Sequence, residues 1–186
     1  MMALVNNWDL KAANNGTSDA GGTREYGVTD LGSTFGRTGD NLTRSKGMLR
    51  DYAATPFIEK VTPAYVDFTM HSRPFFLSIF NVSNYRFRTR MESVAKHVPI
   101  ADGRWIGDRL GALSDDDAGA CFRAAGCSAA DSDAYARVVL ERIAALQAPG
   151  HATGRTPVDP RERRRLVRAP RESPDAAPRA RDDPFW

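Results

Sequence analysis

Cysteine and histidine are scarce in this chain: Cys121 and Cys127 are its only thiols, and His71, His97 and His151 its only imidazoles. Cys121 and Cys127 fit neither the paired C-x2-C spacing of a structural zinc site nor a disulfide-dense secreted scaffold, and both read as incidental. The scattered histidines form no H-E-x-x-H pattern, so no zinc site is implied. No apolar run approaches the roughly 18 to 20 residues that span a bilayer, and the N-terminus lacks the basic-then-apolar layout of a signal peptide. A soluble chain, cytoplasmic by default, is the expectation, with no membrane span.

Charge of one sign is also missing where it would matter. The formal net charge is +3, but nine arginines against six acidic residues lie from His151 onward, which leaves seventeen of each sign in 1–150. The part able to fold is therefore neutral, and no global field steers it toward a polyanion. No nucleic-acid partner is expected. At 186 residues, 41% hydrophobic and 9% aromatic, the chain has room for one ordinary domain plus a tail.

Along the chain, apolar Met2–Val5 suits a helix end or strand feeding the polar loop Asn6-Asn7-Trp8-Asp9-Leu10-Lys11. Asn15–Thr23, rich in Gly, Asn and Ser, reads as a turn or hairpin tip, and Arg24–Thr29 as a short half-buried strand ending at Asp30-Leu31-Gly32. Ser33–Lys46 has the composition of a mobile loop. Val66, Phe68 and Met70 alternate with polar residues, and Phe75–Phe80 is a second apolar run, so one or two strands or extended segments are expected there.

The C-terminal part is helical by spacing. Trp105, Ile106, Leu110 and Leu113 share a face. Ser114 caps a second helix with Asp115–Asp117 in its first turn, stopping near Gly126. Ser128 caps a third, whose stripe of Tyr135, Val138, Val139, Arg142, Ile143 and Leu146 ends before Pro149-Gly150. Three successive helices predict a small bundle. Residues 151–186 hold few large apolar side chains before Phe185-Trp186 and read as a disordered Arg/Pro-rich tail; an arginine-rich nucleic-acid arm at Arg161–Arg168 is the weaker reading, since acidic residues are interleaved.

Asp9-Leu10-Lys11-Ala12-Ala13-Asn14 resembles the catalytic loop of the protein-kinase superfamily, with Lys two places and Asn five places after the Asp. Asp30-Leu31-Gly32 resembles that superfamily's D-F-G element, 21 residues after Asp9, across a Gly-rich turn and a short strand. The resemblance implies that Asp9 is the base or hydroxyl-orienting carboxylate, Lys11 the phosphate contact, and Asn14 and Asp30 the ligands of Mg2+ carried with ATP. Asn7-Trp8 stands where a His-Arg pair is usual, Leu31 replaces Phe, and no A-P-E follows. These departures make the chain similar to HipA-like and phosphoinositide-kinase-like relatives, and to bacterial proteins in which a run like NNWDLK…NN precedes a DLG-x-x-FG segment. The competing reading is purely structural: Asp9 caps a helix, Asn14-Asn15-Gly16 makes a turn and Asp30-Leu31-Gly32 ends a strand.

The implied architecture is α+β and mainly helical: residues 1–150 as a kinase-like C-lobe with a small β-hairpin and a C-terminal helical bundle, then the tail 151–186. Nothing upstream of Asp9 supplies the glycine-rich strands, strand lysine and helix glutamate that hold ATP, and Met1–Val5 runs straight into the motif. A fragment inactive alone is the expectation, because phosphoryl transfer depends on positioning and electrostatics. Its partners would be nucleotide and an unidentified phosphate acceptor. The alternative is a non-catalytic interaction module with a vestigial loop.

Other motifs carry less. Gly32–Gly39 lacks the G-K-[ST] ending of a P-loop. His71-Ser72-Arg73-Pro74 reads as a surface turn rather than a hydrolase constellation. Tyr85–Arg90 alternates aromatic and Arg residues, which suits an edge strand or helix start with Arg stems over apolar surface more than a phosphate grip.

Overall fold

The computed structural model describes residues 1–10, 14–39, 42–70, 74–80 and 82–149. Lys11, the triplet 71–73 and the tail 151–186 lie outside the described residues, and with them the expectations placed there.

Among the described residues the chain is α+β, with five α-helices and two small antiparallel sheets. Strands β1 (Asn15–Ala20) and β2 (Thr23–Val28) form the first sheet, a hairpin. Its turn is Gly21-Gly22 at φ 58° and 83°, and two successive positive φ values are what a two-residue turn needs to match the twist of its strands. The tip expected over Asn15–Thr23 thus shrinks to two residues, and Asn15–Ala20 is itself a strand. Of the half-buried character expected of the second strand, Val28 is partly buried, while its other described side chains are exposed.

Helix α1 (Leu49–Ala54) leads into the second sheet, in the order β3 (Ile58–Val61), β4 (Tyr65–Phe68), β5 (Val98–Pro99). The strand expected at Val66 and Phe68 is present, and Val66, Phe68 and Met70 are all buried, but Asp67 between them is buried as well, so burial does not alternate. Phe75–Phe80 departs from expectation. Phe75–Ile79 is a 3-10 turn rather than an extended segment, with Phe75, Phe76 and Ile79 exposed, and it feeds helix α2 (Val82–Glu92), so Tyr85–Arg90 is helical. A second short 3-10 turn, Ser93–Ala95, returns the chain to β5.

Helices α3 (Ile100–Leu110), α4 (Asp115–Ala124) and α5 (Ala129–Gln147) form the bundle, with α5 packed on both others. Both serine caps are made: Ser114 Oγ accepts from Asp117 N and Ser128 Oγ from Asp131 N, each at 3.1 Å. Gly126, at φ 88°, ends α4 where the sequence places its stop. Trp105 is a correction, because it lies on the solvent side of α3 beneath Arg109 rather than in the apolar face.

The loop after Asp30 is not free in its first half. Thr34, Gly36 and Thr38 are buried. Phe35 sits edge-on among Tyr52, Phe122 and Tyr135, with centroids 5.3, 5.3 and 5.7 Å away. A side chain at Gly36 would collide with the Ser45 backbone carbonyl, so only glycine fits there. Small polar composition reads as mobility in the sequence; here it serves close backbone approach.

Candidate functional site

The hairpin register builds the site. Pairing Asn15 with Val28 puts the preceding Asn14 beside Thr29, whose N–H donates to the Asn14 carbonyl at 3.0 Å. Asp30 is therefore held at the foot of the hairpin, directly across from the residue that ends the Asp9 loop. The Asn14 side chain turns back into that loop and donates from Nδ2 to the Asp9 carbonyl at 3.4 Å.

Asn7 joins the two arms from beneath. Its Nδ2 donates to the Asp30 carbonyl at 2.8 Å, and its Oδ1 accepts the Asp9 N–H at 2.9 Å. One fully buried amide thus fixes the backbone of both aspartates. Asp30 is exposed and its Oδ1 accepts the Gly32 N–H at 2.9 Å, an Asx-type turn; Asp9 and Asn14 are half-buried.

A second buried amide, Asn6, ties this assembly to the core. Asn6 Nδ2 donates to the Gly36 carbonyl at 2.8 Å, while its Oδ1 accepts from the Arg142 guanidinium at 2.7 Å. The Phe35 N–H donates to the Val5 carbonyl at 2.7 Å, so the start of the chain and the segment after Asp30 lie side by side. Asn6 at φ 52° and Phe35 at φ 55° both occupy the left-handed region. For asparagine that is tolerated; for phenylalanine it is strained, and such strain persists only where surrounding structure imposes it. Arg44 closes the outer edge, with its guanidinium 3.8 Å from the centre of the Trp8 ring.

The structure therefore brings Asp9, Asn14 and Asp30 into one connected cluster of hydrogen bonds, while Lys11 lies outside the described residues. Among the described residues, no three His, Cys, Asp or Glu side chains gather as a metal site. The bonds that join the cluster run through backbone groups of Asp9 and Asp30, and the Asp30 carboxylate itself accepts from Gly32 N–H; the side-chain oxygens of Asp30 and Asn14 are of the type a hard cation takes.

Asn6, Asn7 and Arg142 were not singled out by sequence reasoning as site supports. The signal for Arg142 was present, since an arginine within the apolar stripe of a helix must find acceptors inside the core. For Asn7 we expect Asn7→Ala to cost about 1 to 2 kcal/mol, because it takes the partner from the part-buried Asp9 N–H and Asp30 carbonyl together. Urea denaturation checks this, and a loss under about 0.5 kcal/mol would contradict the bracing role.

No protein-family model matches this chain, and neither the curated proteins nor the solved structures contain a match to it.

Proposed function

We propose that this chain carries the metal-binding and catalytic-loop half of a kinase-like, ATP- and magnesium-dependent phosphotransferase, as a C-lobe in residues 1–150. The observation that carries the reading is the Asn7 bridge between Asp9 N and the Asp30 carbonyl, closed on the other side by Asn14. A structural coincidence of the two short motifs does not call for a buried amide that spaces one from the other.

In this reading Asp9 orients the acceptor hydroxyl and takes its proton, and Lys11 contacts the transferred phosphate. Asn14 and Asp30 hold magnesium, which when bound neutralises charge on the phosphate oxygens. The hairpin and the Asn7 bridge supply what phosphoryl transfer most needs from a protein, fixed positions for a few polar groups. A nucleotide-holding lobe is a separate element of the proposal, since the described residues before Asp9 form only a turn.

The test is thermal stability with magnesium and ATP, on this chain and on a polypeptide extended upstream of Met1. At a hundredfold excess over Kd the extended form should gain about 2.7 kcal/mol, with a weaker effect on the present chain. Asp30→Ala should abolish both. Absence of any nucleotide-dependent gain that depends on Asp30 would end the phosphotransferase reading.

The second reading, a non-catalytic interaction module, is favoured by one observation: a group of large apolar side chains around Phe75–Phe87 stands in solvent. It expects partner binding that Asp30→Ala leaves intact.

A further inference from the structure

That exposed group has chemistry of its own, independent of the site above. Phe75, Ile79 and Phe80 are 76%, 78% and 81% exposed, and Phe76, Val82, Phe87 and Val94 add to the same excursion from the core. Surface apolar residues occurring singly need no explanation, but so many within one short segment do.

The segment is structured. The Phe75 ring meets Tyr85 edge-on at 6.0 Å, locking the 3-10 turn against α2. Beyond α2, Ala95 is buried, and Lys96 anchors the return by bonding the Glu59 carboxylate and the Phe68 carbonyl. Helix α2 packs chiefly on the 3-10 turns at its two ends, so the excursion projects from the sheet.

Its charge is mostly of one sign. From Phe75 to Val94 the sequence has three arginines, at 86, 88 and 90, against one acidic residue, Glu92 at the end of α2. Arg86 and Arg90 are exposed on α2. The apolar residues do not segregate along one face of that helix, and the most exposed of them belong to the turn before it. The layout is an apolar tip with a basic shoulder, rather than an in-plane amphipathic helix.

We propose that residues 75–94 dock on an anionic phospholipid surface, the 3-10 turn entering the headgroup and upper acyl region while Arg86 and Arg90 contact lipid phosphates. Basic side chains beside exposed phenylalanines complement such a surface in both charge and polarity. Two other occupants, a single-stranded nucleic acid stacking on Phe75, Phe80 and Phe87 and a second copy of this chain, are the alternatives that the experiment separates.

The experiment is co-sedimentation of the full chain with vesicles of phosphatidylserine and phosphatidylcholine, against phosphatidylcholine alone. Retention should require phosphatidylserine and weaken as salt rises. Ile79→Ser with Phe80→Ser should lower partitioning about tenfold or more, and Arg86→Glu with Arg90→Glu by a similar factor. All four positions are exposed, so both variants should melt with the parent protein. Equal retention on both vesicle types overturns the proposal, as does retention unaffected by either pair. So does a light-scattering dimer or single-strand RNA binding that responds to these pairs while vesicles are not bound.

Discussion

Arg142→Met should cost about 3 to 5 kcal/mol of folding stability, a large share of the 5 to 15 kcal/mol typical of a domain. Arg142 is 4% exposed, and the oxygens its guanidinium meets are not carboxylates. It donates to the Leu4 carbonyl at 2.8 Å, Asn6 Oδ1 at 2.7 Å, the Tyr52 carbonyl at 3.0 Å and the Thr55 carbonyl at 3.1 Å. Its flat face lies 4.1 Å from the centre of the Tyr52 ring. Burial pulls the guanidinium pKa below its ordinary value, which reflects the cost of taking a cation out of water. The four acceptors and the ring offset that cost. Methionine fills similar volume yet leaves these buried oxygens short of a donor.

Arg142→Lys should rescue little of this loss. An ammonium presents three donors from one point, whereas the acceptors are spread along two segments that the planar fork spans. Urea midpoints of the two variants check the expectation. A loss below about 1 kcal/mol for Arg142→Met would mean that the carbonyls find water or one another, and that Arg142 does not hold the Asn6–Asn7 turn to α5. Because Asn6 and Asn7 are consecutive, the same variant should loosen the Asp9–Asp30 bridge.

How much of this was legible depends on the kind of signal. Ser114 and Ser128 announced their helices because capping is a local rule, satisfied within three residues. The stripe on α5 was legible for the same reason, and its spacing placed Arg142 inside even though its residue type argued for the surface. The composition of Asn15–Thr23 implied a turn or hairpin tip, and the hairpin is what sets Asn14 beside Thr29. Phe75–Phe80 misled because an apolar run says that burial is favourable but not which element is present to provide it. Ser33–Gly39 misled in the opposite direction: glycine and small polar residues serve loops and tight packing alike, and only the approach of Ser45 to Gly36 separates the two. Asn6 and Asn7 carried no periodic signal, since an amide in a loop becomes a brace only when its distant partners arrive.

Alkaline pH should unfold the protein through two buried phenols. Burial raises Tyr52 from 10.0 to about 12, against the opposing charge of Arg142. Tyr135 is also raised to about 12, by burial first and then by the nearby Cys127 and Asp131. A phenol whose folded pKa exceeds its unfolded value contributes stability that is whole below pH 10.0 and is lost as pH rises through about 12, because the unfolded chain ionises first. Two units correspond to roughly 2 to 3 kcal/mol for each tyrosine. The rings lie 6.1 Å apart, so ionising one opposes ionising the other in the folded state, and the two phenols titrate there in two separated steps. Tyr52→Phe should therefore halve the alkaline loss while lowering neutral stability by about 1 kcal/mol, as its bond to the Leu4 carbonyl at 2.8 Å disappears. Tyr135→Phe should flatten the same limb. Denaturation measured across this pH range, with tyrosinate absorbance followed in parallel, decides the matter. If tyrosinate forms fully near pH 10.0 while the fold persists, these phenols are reached by water, and the aromatic cluster around Phe35 is not closed.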